Sequence, residues 1–231
     1  MRDLLSAFQQ ALRLLASGDP ALYTIMGRTL LVSGVATLLA LVAGVPLGYG
    51  LARRRFRGHT LVLGLVNTGM GLPPVVVGLF VWLLLARSGP LGGLDLIYTR
   101  RAMIIAQFVI ALPLVVGFTA ASVRALPERL PDLLRTLGAG RWRMLWLLAG
   151  EARLGLLAAV MAGFGAIVSE VGASMTVGGN LERSTRVLTT AIVTETGRGN
   201  VPLALALGLI LLAVAFAVNL VLTVAQMRGS R

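Results

Sequence analysis

The sequence contains no lysine and no cysteine, a single histidine and few charged residues of any kind. Each scarcity closes off a class of function. A Walker A loop sets a lysine on the nucleotide phosphates, so a chain whose 21 basic residues are all arginine is not itself an ordinary P-loop ATPase. Without cysteine there is no disulfide, thiolate metal site or cysteine nucleophile. His59, alone and directly after an arginine run, reads as a solvated loop residue, which argues against a His-rich metal site or a Ser-His-Asp triad. No resident metal or cofactor is expected. Charged residues make up 13% of the chain, against roughly 25% in a soluble domain. With 57% hydrophobic residues and a mean hydropathy of +0.87, the chain reads as an integral membrane protein. The net charge of +12 would suit nucleic acid. However, the arginines flank hydrophobic runs rather than forming one basic domain, so their meaning is topological and no nucleic-acid partner is expected.

Residues 1–18 place Leu4, Leu5, Phe8, Leu12 and Leu15 at roughly helical spacing, with Arg2, Asp3, Gln9, Gln10 and Arg13 between them. This predicts an amphipathic surface helix ended by Gly18-Asp19-Pro20. It is too polar for a signal-peptide core and no small-x-small site follows, so it is expected to stay attached. Five apolar stretches come next, at about 29–52, 60–86, 102–124, 154–177 and 201–226, each near the ~20 residues that cross a bilayer. An odd number puts the two ends of the chain on opposite sides. With the C-terminus inside, twelve arginines are internal (53, 54, 55, 57, 124, 129, 135, 141, 143, 153, 228, 231) and nine external (2, 13, 28, 87, 100, 101, 183, 186, 198). The dense cluster of Arg53, Arg54, Arg55 and Arg57 directly after the first span strengthens that orientation, N-terminus out and C-terminus in.

Within the second stretch, Gly71-Leu72-Pro73-Pro74 removes two adjacent backbone donors, so the helix is expected to kink or break there. Freed carbonyls are not tolerated against lipid, and the break must face protein or a water-filled path. Pro73 and Pro74 therefore admit two readings, a substrate route or a structural kink, as do Pro46 and Pro113. The fourth stretch carries Gly163, Ala166, Ile167, Glu170, Ala173 and Ser174 along one helical face, small enough for another helix to approach closely, with Ser169 and Gly172 beside it. Glu170 is the one acid expected at membrane depth. It is either a functional group, with Ser169, Ser174 and Thr176, on a translocation path or gate, or a neutral or arginine-paired packing anchor. A bare carboxylate would repel an anion, which favours the anchor on an anion path. The outer loop 178–196 is rich in hydroxyls, and Leu188, Ala191 and Ile192 at i, i+3 and i+4 predict a short helix at the outer mouth. Arg183 and Arg186 in that loop are either groups that steer an anion or meet an acidic partner, or ordinary interfacial arginines.

The longest polar interruption on the internal side is 127–153. Leu130, Leu133, Leu134 and Leu137 fall at i, i+3, i+4 and i+7, one face of a short helix. Pro131 sits near its start, Asp132 lies in its first turn, and Gly138 and Gly140 end it. A short amphipathic helix between two membrane spans suits docking, apolar face first, into a groove of a soluble partner. The alternative is an interfacial helix lying on lipid.

This stretch resembles the cytosolic EAA loop of ABC importer permeases, in which Glu-Ala-Ala is followed after three residues by Gly and later by Ile-x-Leu-Pro. Asp132, Leu133 and Leu134 align with the triplet and Gly138 with the glycine, while Arg135, Thr136, Leu137, Ala139, Trp142 and Arg143 fit the usual wording of the segment. Asp132 replaces the customary glutamate, and Gly150-Glu151 stands where Leu-Pro would be. The segments 67–78, 96–99, 169–180 and 185–192 are similar to those of tungstate-type oxyanion permeases, with molybdate and sulfate permeases as near relatives.

The resemblance covers essentially the whole chain and implies an all-α type I importer permease. Residues 1–231 would form one transmembrane domain of about five membrane helices, an N-terminal amphipathic helix and a cytosolic coupling helix. It implies a non-catalytic, multi-pass subunit of a bacterial inner membrane that imports a tetrahedral oxyanion, tungstate first and molybdate or sulfate as alternatives. Two copies would form the path. A cytosolic ATPase dimer, using ATP and magnesium, would dock on Leu130, Asp132, Leu133, Leu134, Leu137, Gly138 and Arg141, and an extracytoplasmic binding protein would deliver the cargo near Arg183 and Arg186. A secondary transporter or channel is the remote alternative, weakened by the lack of an evident inverted repeat. An intramembrane enzyme is weaker still, since no histidine, lysine or carboxylate pair lies at membrane depth to activate a serine.

Overall fold

The computed structural model describes residues 2–127 and 129–229. The side chains of Arg2, Asp3, Leu4, Pro131, Arg141, Trp142 and Arg228, all used in the sequence reading, lie outside the described residues, as does Arg231. Every regular element among the described residues is helical.

The N-terminal helix α1 (Arg2–Ala16) ends at a left-handed Gly18 and leads into α2 (Pro20–Arg53). The Asp19 carboxylate accepts from the Ala21 amide at 2.8 Å and Pro20 occupies the first position of α2. The dipeptide expected only to stop the first helix thus also starts the second, because an N-cap aspartate followed by proline fits a helix start. The helix that carries the 29–52 stretch therefore begins at Pro20, nine residues before it. At 1.5 Å per residue its 34 residues run about 51 Å, well beyond the ~30 Å hydrocarbon core.

The second stretch is divided as expected. Helix α3 (His59–Met70) and α4 (Pro74–Leu85) meet at 106° across Gly71, Leu72 and Pro73. Pro74 opens α4, where a missing N–H costs nothing. A short 3-10 turn (Gly92–Leu94) precedes α5 (Arg100–Arg124), which runs unbroken through Pro113. The polar interruption folds as α6 (Leu130–Thr136) and α7 (Arg141–Glu151). Next come α8 (Arg153–Val168), α9 (Gly172–Gly178), α10 (Leu188–Gly197) and α11 (Val201–Gly229). Helices α8 and α9 are bent by 61°, so the single helical face expected from Gly163 to Ser174 is interrupted at Ser169, Glu170 and Val171.

Among the described residues three helices, α2, α5 and α11, are long and apolar enough to cross a membrane, and the count reaches five if each bent pair is one span. The core is built on α2 against α5. Ala36, Ala40, Gly44 and Gly48 repeat every fourth residue along α2, and α5 closes on that stripe until a Cβ on Gly48 would stand 2.7 Å from the Thr119 Cβ. Helix α8 packs on both α2 and α5, with Gly163 facing Val115, which Gly44 of α2 also meets, and Gly155 facing Ser122. A second cluster joins Leu14 and Leu15 of α1 to Leu22, Leu188, Leu207 and Ile210. The N-terminal helix is thus partly packed on α11 rather than lying wholly on a surface. The outward flanks stay apolar, with Leu38 60%, Leu212 67% and Phe216 68% exposed, which suits lipid or a partner helix rather than water.

Contacts between distant segments sort the helix ends into two groups. At one end, the Leu51 carbonyl lies 2.9 Å from the His59 ring and 3.4 Å from the Arg124 guanidinium. At the other, Arg28 donates to the carbonyls of Glu182 and Arg183, each at 2.7 Å, and the Tyr98 amide donates to the Val177 carbonyl at 2.9 Å. Helices α2 and α5 thus run in the same direction between the two ends, with the α3–α4 pair returning between them.

Candidate functional site

Where α8 stops, its last carbonyls lose their helical partners. Side chains from other helices add to the backbone bonds that remain around the break. Gln107 of α5 donates to the Ile167 carbonyl and to Ser174 Oγ, both at 3.3 Å, and Thr189 of α10 donates to the Glu170 carbonyl at 3.0 Å. Glu170 itself faces the new helix. Its two carboxylate oxygens accept from the amides of Ala173 and Ser174 at 3.1 and 3.2 Å, capping the first turn of α9. Glu170, Ser174, Gln107 and Thr189 are all buried. A carboxylate that accepts backbone amides at a helix start is well placed, because N–H groups and dipole both favour negative charge. Among the described residues no arginine pairs with Glu170; backbone amides take that place.

The two breaks meet. Helix α4 lies against α9 so closely that a Cβ on Gly78 would fall 2.6 Å from the Ala173 Cα, and a Cβ on Gly172 would collide with Val75. The second halves of both bent segments therefore pack as a unit beside the Pro73-Pro74 turn. Of the expected path residues, Glu170 and Ser174 share the buried cluster. Pro73 is exposed and Pro74 half-buried at the start of α4. Ser169 and Thr176 stand apart, each donating to its own backbone, to Gly165 at 3.1 Å and Gly172 at 2.8 Å. Gln107 and Thr189 were not anticipated. The one signal for Gln107 was a lone amide in the apolar run 102–118.

The internal segment forms its helix where the leucine spacing put it. Leu133 is 57% and Leu137 74% exposed, Leu130 and Leu134 are half-buried, and Asp132 pairs with Arg135 at 3.3 Å on the outside. Gly138 stops the helix in the left-handed conformation, φ +79°. The Gly138 amide returns to the Arg135 carbonyl and the Ala139 amide to Leu134, the paired bonds of a Schellman end. Arg141 is the first residue of α7, its side chain outside the described residues. On α7, Trp146 is 80% exposed, a large apolar surface the leucine pattern did not reveal.

In the 178–196 loop, the two arginines differ. Arg183 is exposed, whereas the Arg186 side chain is only 12% exposed and meets Glu182 at 3.4 Å. Helix α10 forms where the spacing put it and buries Leu188, Thr189, Thr190 and Ala191 in its first turn.

Comparison with known proteins adds to this geometry. The profile of the family described as binding-protein-dependent transport system inner membrane component matches residues 44–228. The tungstate uptake system permease protein TupB of Peptoclostridium acidaminophilum is 39% identical over 96% of this chain and 97% of its own. A probable anion ABC transporter permease protein of Haloferax volcanii is 41% identical over 86% and 88%. The molybdenum transport system permease protein ModB of Azotobacter vinelandii is 31% identical over 71% and 76%. Among solved structures, the MetNI methionine ABC transporter in an inward-facing conformation superposes with a TM-score of 0.72 at 18% identity, covering 91% of this chain and 96% of that one.

Proposed function

The chain belongs to the family of binding-protein-dependent transport system inner membrane components, and we propose that it is the permease subunit of an ATP-driven importer for tungstate. The observation that carries the cargo is the near full-length similarity to TupB. Molybdate is the second reading, favoured by the shorter and weaker match to ModB. Residues 1–231 act as a single transmembrane domain with five spans, the bent pairs α3–α4 and α8–α9 each counting as one. The end holding Leu51, His59 and Arg124 faces the cytosol, with the N-terminus outside and the C-terminus inside.

In this mechanism two copies of the chain line the path, and a cytosolic ATPase dimer receives α6 through Leu130, Leu133, Leu134 and Leu137. ATP and magnesium act on that partner. A displacement of α6 passes to α7 and from α7 to α8, since these elements abut in sequence and in space. Leu148 and Ala152, both buried, make the end of α7 a firm lever. Helix α8 then carries the motion to the capped break at Glu170 and so to the α4–α9 unit, where Pro73, Pro74, Ser169, Ser174 and Thr176 flank the route. Glu170 serves there as an anchor whose charge is taken up by amides. A binding protein delivers the anion at the opposite end, where exposed Arg183 is available to it.

The test is elemental uptake in cells lacking this chain, with and without its gene restored, supplied separately with tungstate, molybdate and sulfate. Selective loss of cellular tungsten, rescued by the gene, is the expected result. Equal loss of molybdenum would make the chain a shared oxyanion permease, and unchanged uptake of all three would overturn the cargo.

A further inference from the structure

A cavity of about 700 Å³ opens between the ends of α2 and α5, the α6–α7 segment and the start of α8. Ligand sites commonly span roughly 300–1,000 Å³. Its polar lining comes from Tyr49, Arg53, Arg54, Thr119 and Arg135, and no acidic residue among the described residues lines it. The remaining wall is mainly aliphatic. Two guanidinium nitrogens of Arg53, Nε and Nη2, are buried with no hydrogen-bond partner, and so is Thr119 Oγ1. Thr119 is 0% exposed. Arg135 shares its charge with the exposed Asp132, but Arg53 has no such partner among the described residues.

Burying a charged donor without an acceptor is strongly unfavourable, and proteins relieve it by pairing or by a bound ion. Arginine presents its donors as a planar fork suited to tetrahedral oxyanions. We infer that this cavity is a binding site for a tetrahedral oxyanion group, held by the Arg53 fork and Thr119 Oγ1, with Arg54 and Arg135 supplying further positive charge. An anion there bridges α2 to α6, so its occupancy ties the membrane core to the segment proposed to meet the ATPase. The group is either a free anion or the phosphate of an anionic lipid; the aliphatic wall accommodates the latter, and the inference holds whatever cargo the chain carries.

The experiment uses the full chain purified in detergent. Binding of tungstate and of inorganic phosphate is measured by equilibrium dialysis, and retention of phosphatidylglycerol against phosphatidylcholine by native mass spectrometry. Arg53→Gln should weaken the bound probe about tenfold, the loss of one charge-assisted contact. Thr119→Val is the decisive second variant. Because Thr119 Oγ1 has no partner within the protein, its removal should leave the melting temperature unchanged or raised, while still weakening the probe. Arg87→Gln, at the opposite end, should bind as the parent does. Losses confined to the inorganic anions identify a free anion as occupant, and selective loss of phosphatidylglycerol identifies a lipid; both support the site. Absence of binding by every probe, or binding that neither Arg53→Gln nor Thr119→Val alters, overturns it.

Discussion

Gly78 of α4 lies so close to Ala173 of α9 that an added Cβ would stand 2.6 Å from the Ala173 Cα. The contact locks together the far halves of two broken segments, and backbone rather than a flexible side chain is what would be struck. Gly78→Val should therefore force the pair apart, at an overpacking cost of about 1–3 kcal/mol. Tungsten uptake should fall sharply while the protein still reaches the membrane. Uptake at parental level would show that the α4–α9 contact is dispensable.

Glu170 acts through its acceptors. In Glu170→Gln one oxygen remains to take an amide, but the new NH2 confronts another donor. The expected loss is about 1–3 kcal/mol, the range for a buried group left unpaired. Thermal unfolding in detergent should register it, with Glu170→Ala falling further. If both variants melt with the parent, the carboxylate does not hold α9.

Gly138 is left-handed at φ +79°, with open space around it. A side chain there would strain the backbone rather than collide, at about 1–2 kcal/mol, and would unwind the end of α6. Gly138→Leu should leave the membrane core folded and separate ATP hydrolysis from uptake. A parallel assay of ATPase rate and tungsten uptake in the same membranes decides it, and normal uptake would remove the coupling role.

Leu133 is a largely exposed apolar side chain on the same helix. Leu133→Asp should cost little in stability, as surface changes generally stay within about 0.5 kcal/mol. It should nevertheless abolish copurification with the ATPase. An undiminished complex would show that α6 docks by another face.

Much of this arrangement was legible in the residues, and the exceptions share a cause. The break at Pro73 is local chemistry, two missing donors in a row, and any reader of the chain finds it. The break at Glu170 is not. Ser169-Glu170-Val171 contains no proline or glycine and small residues continue on either side, while the side chains that hold carbonyls at the break, Gln107 and Thr189, come from 60 and 19 residues away. The leucine spacing gave α6 because a seven-residue helix is decided within its own turn and by Gly138. Which arginine is buried is again a tertiary matter. Arg186 and Arg183 are alike in sequence, but Arg186 folds back on Glu182 while Arg183 stays outward. For α2 the signal was present and its second meaning was missed, since Asp19-Pro20 both ends one helix and begins the next.

The most direct test of the central claim is ATP-driven accumulation of tungstate in proteoliposomes containing this chain, its ATPase and its binding protein. Accumulation should require ATP and the binding protein, proceed against a gradient, and vanish in the Gly138→Leu complex although ATP is still hydrolysed. Tungstate that equilibrates without ATP, or accumulates equally with Gly138→Leu, would contradict an importer driven through α6.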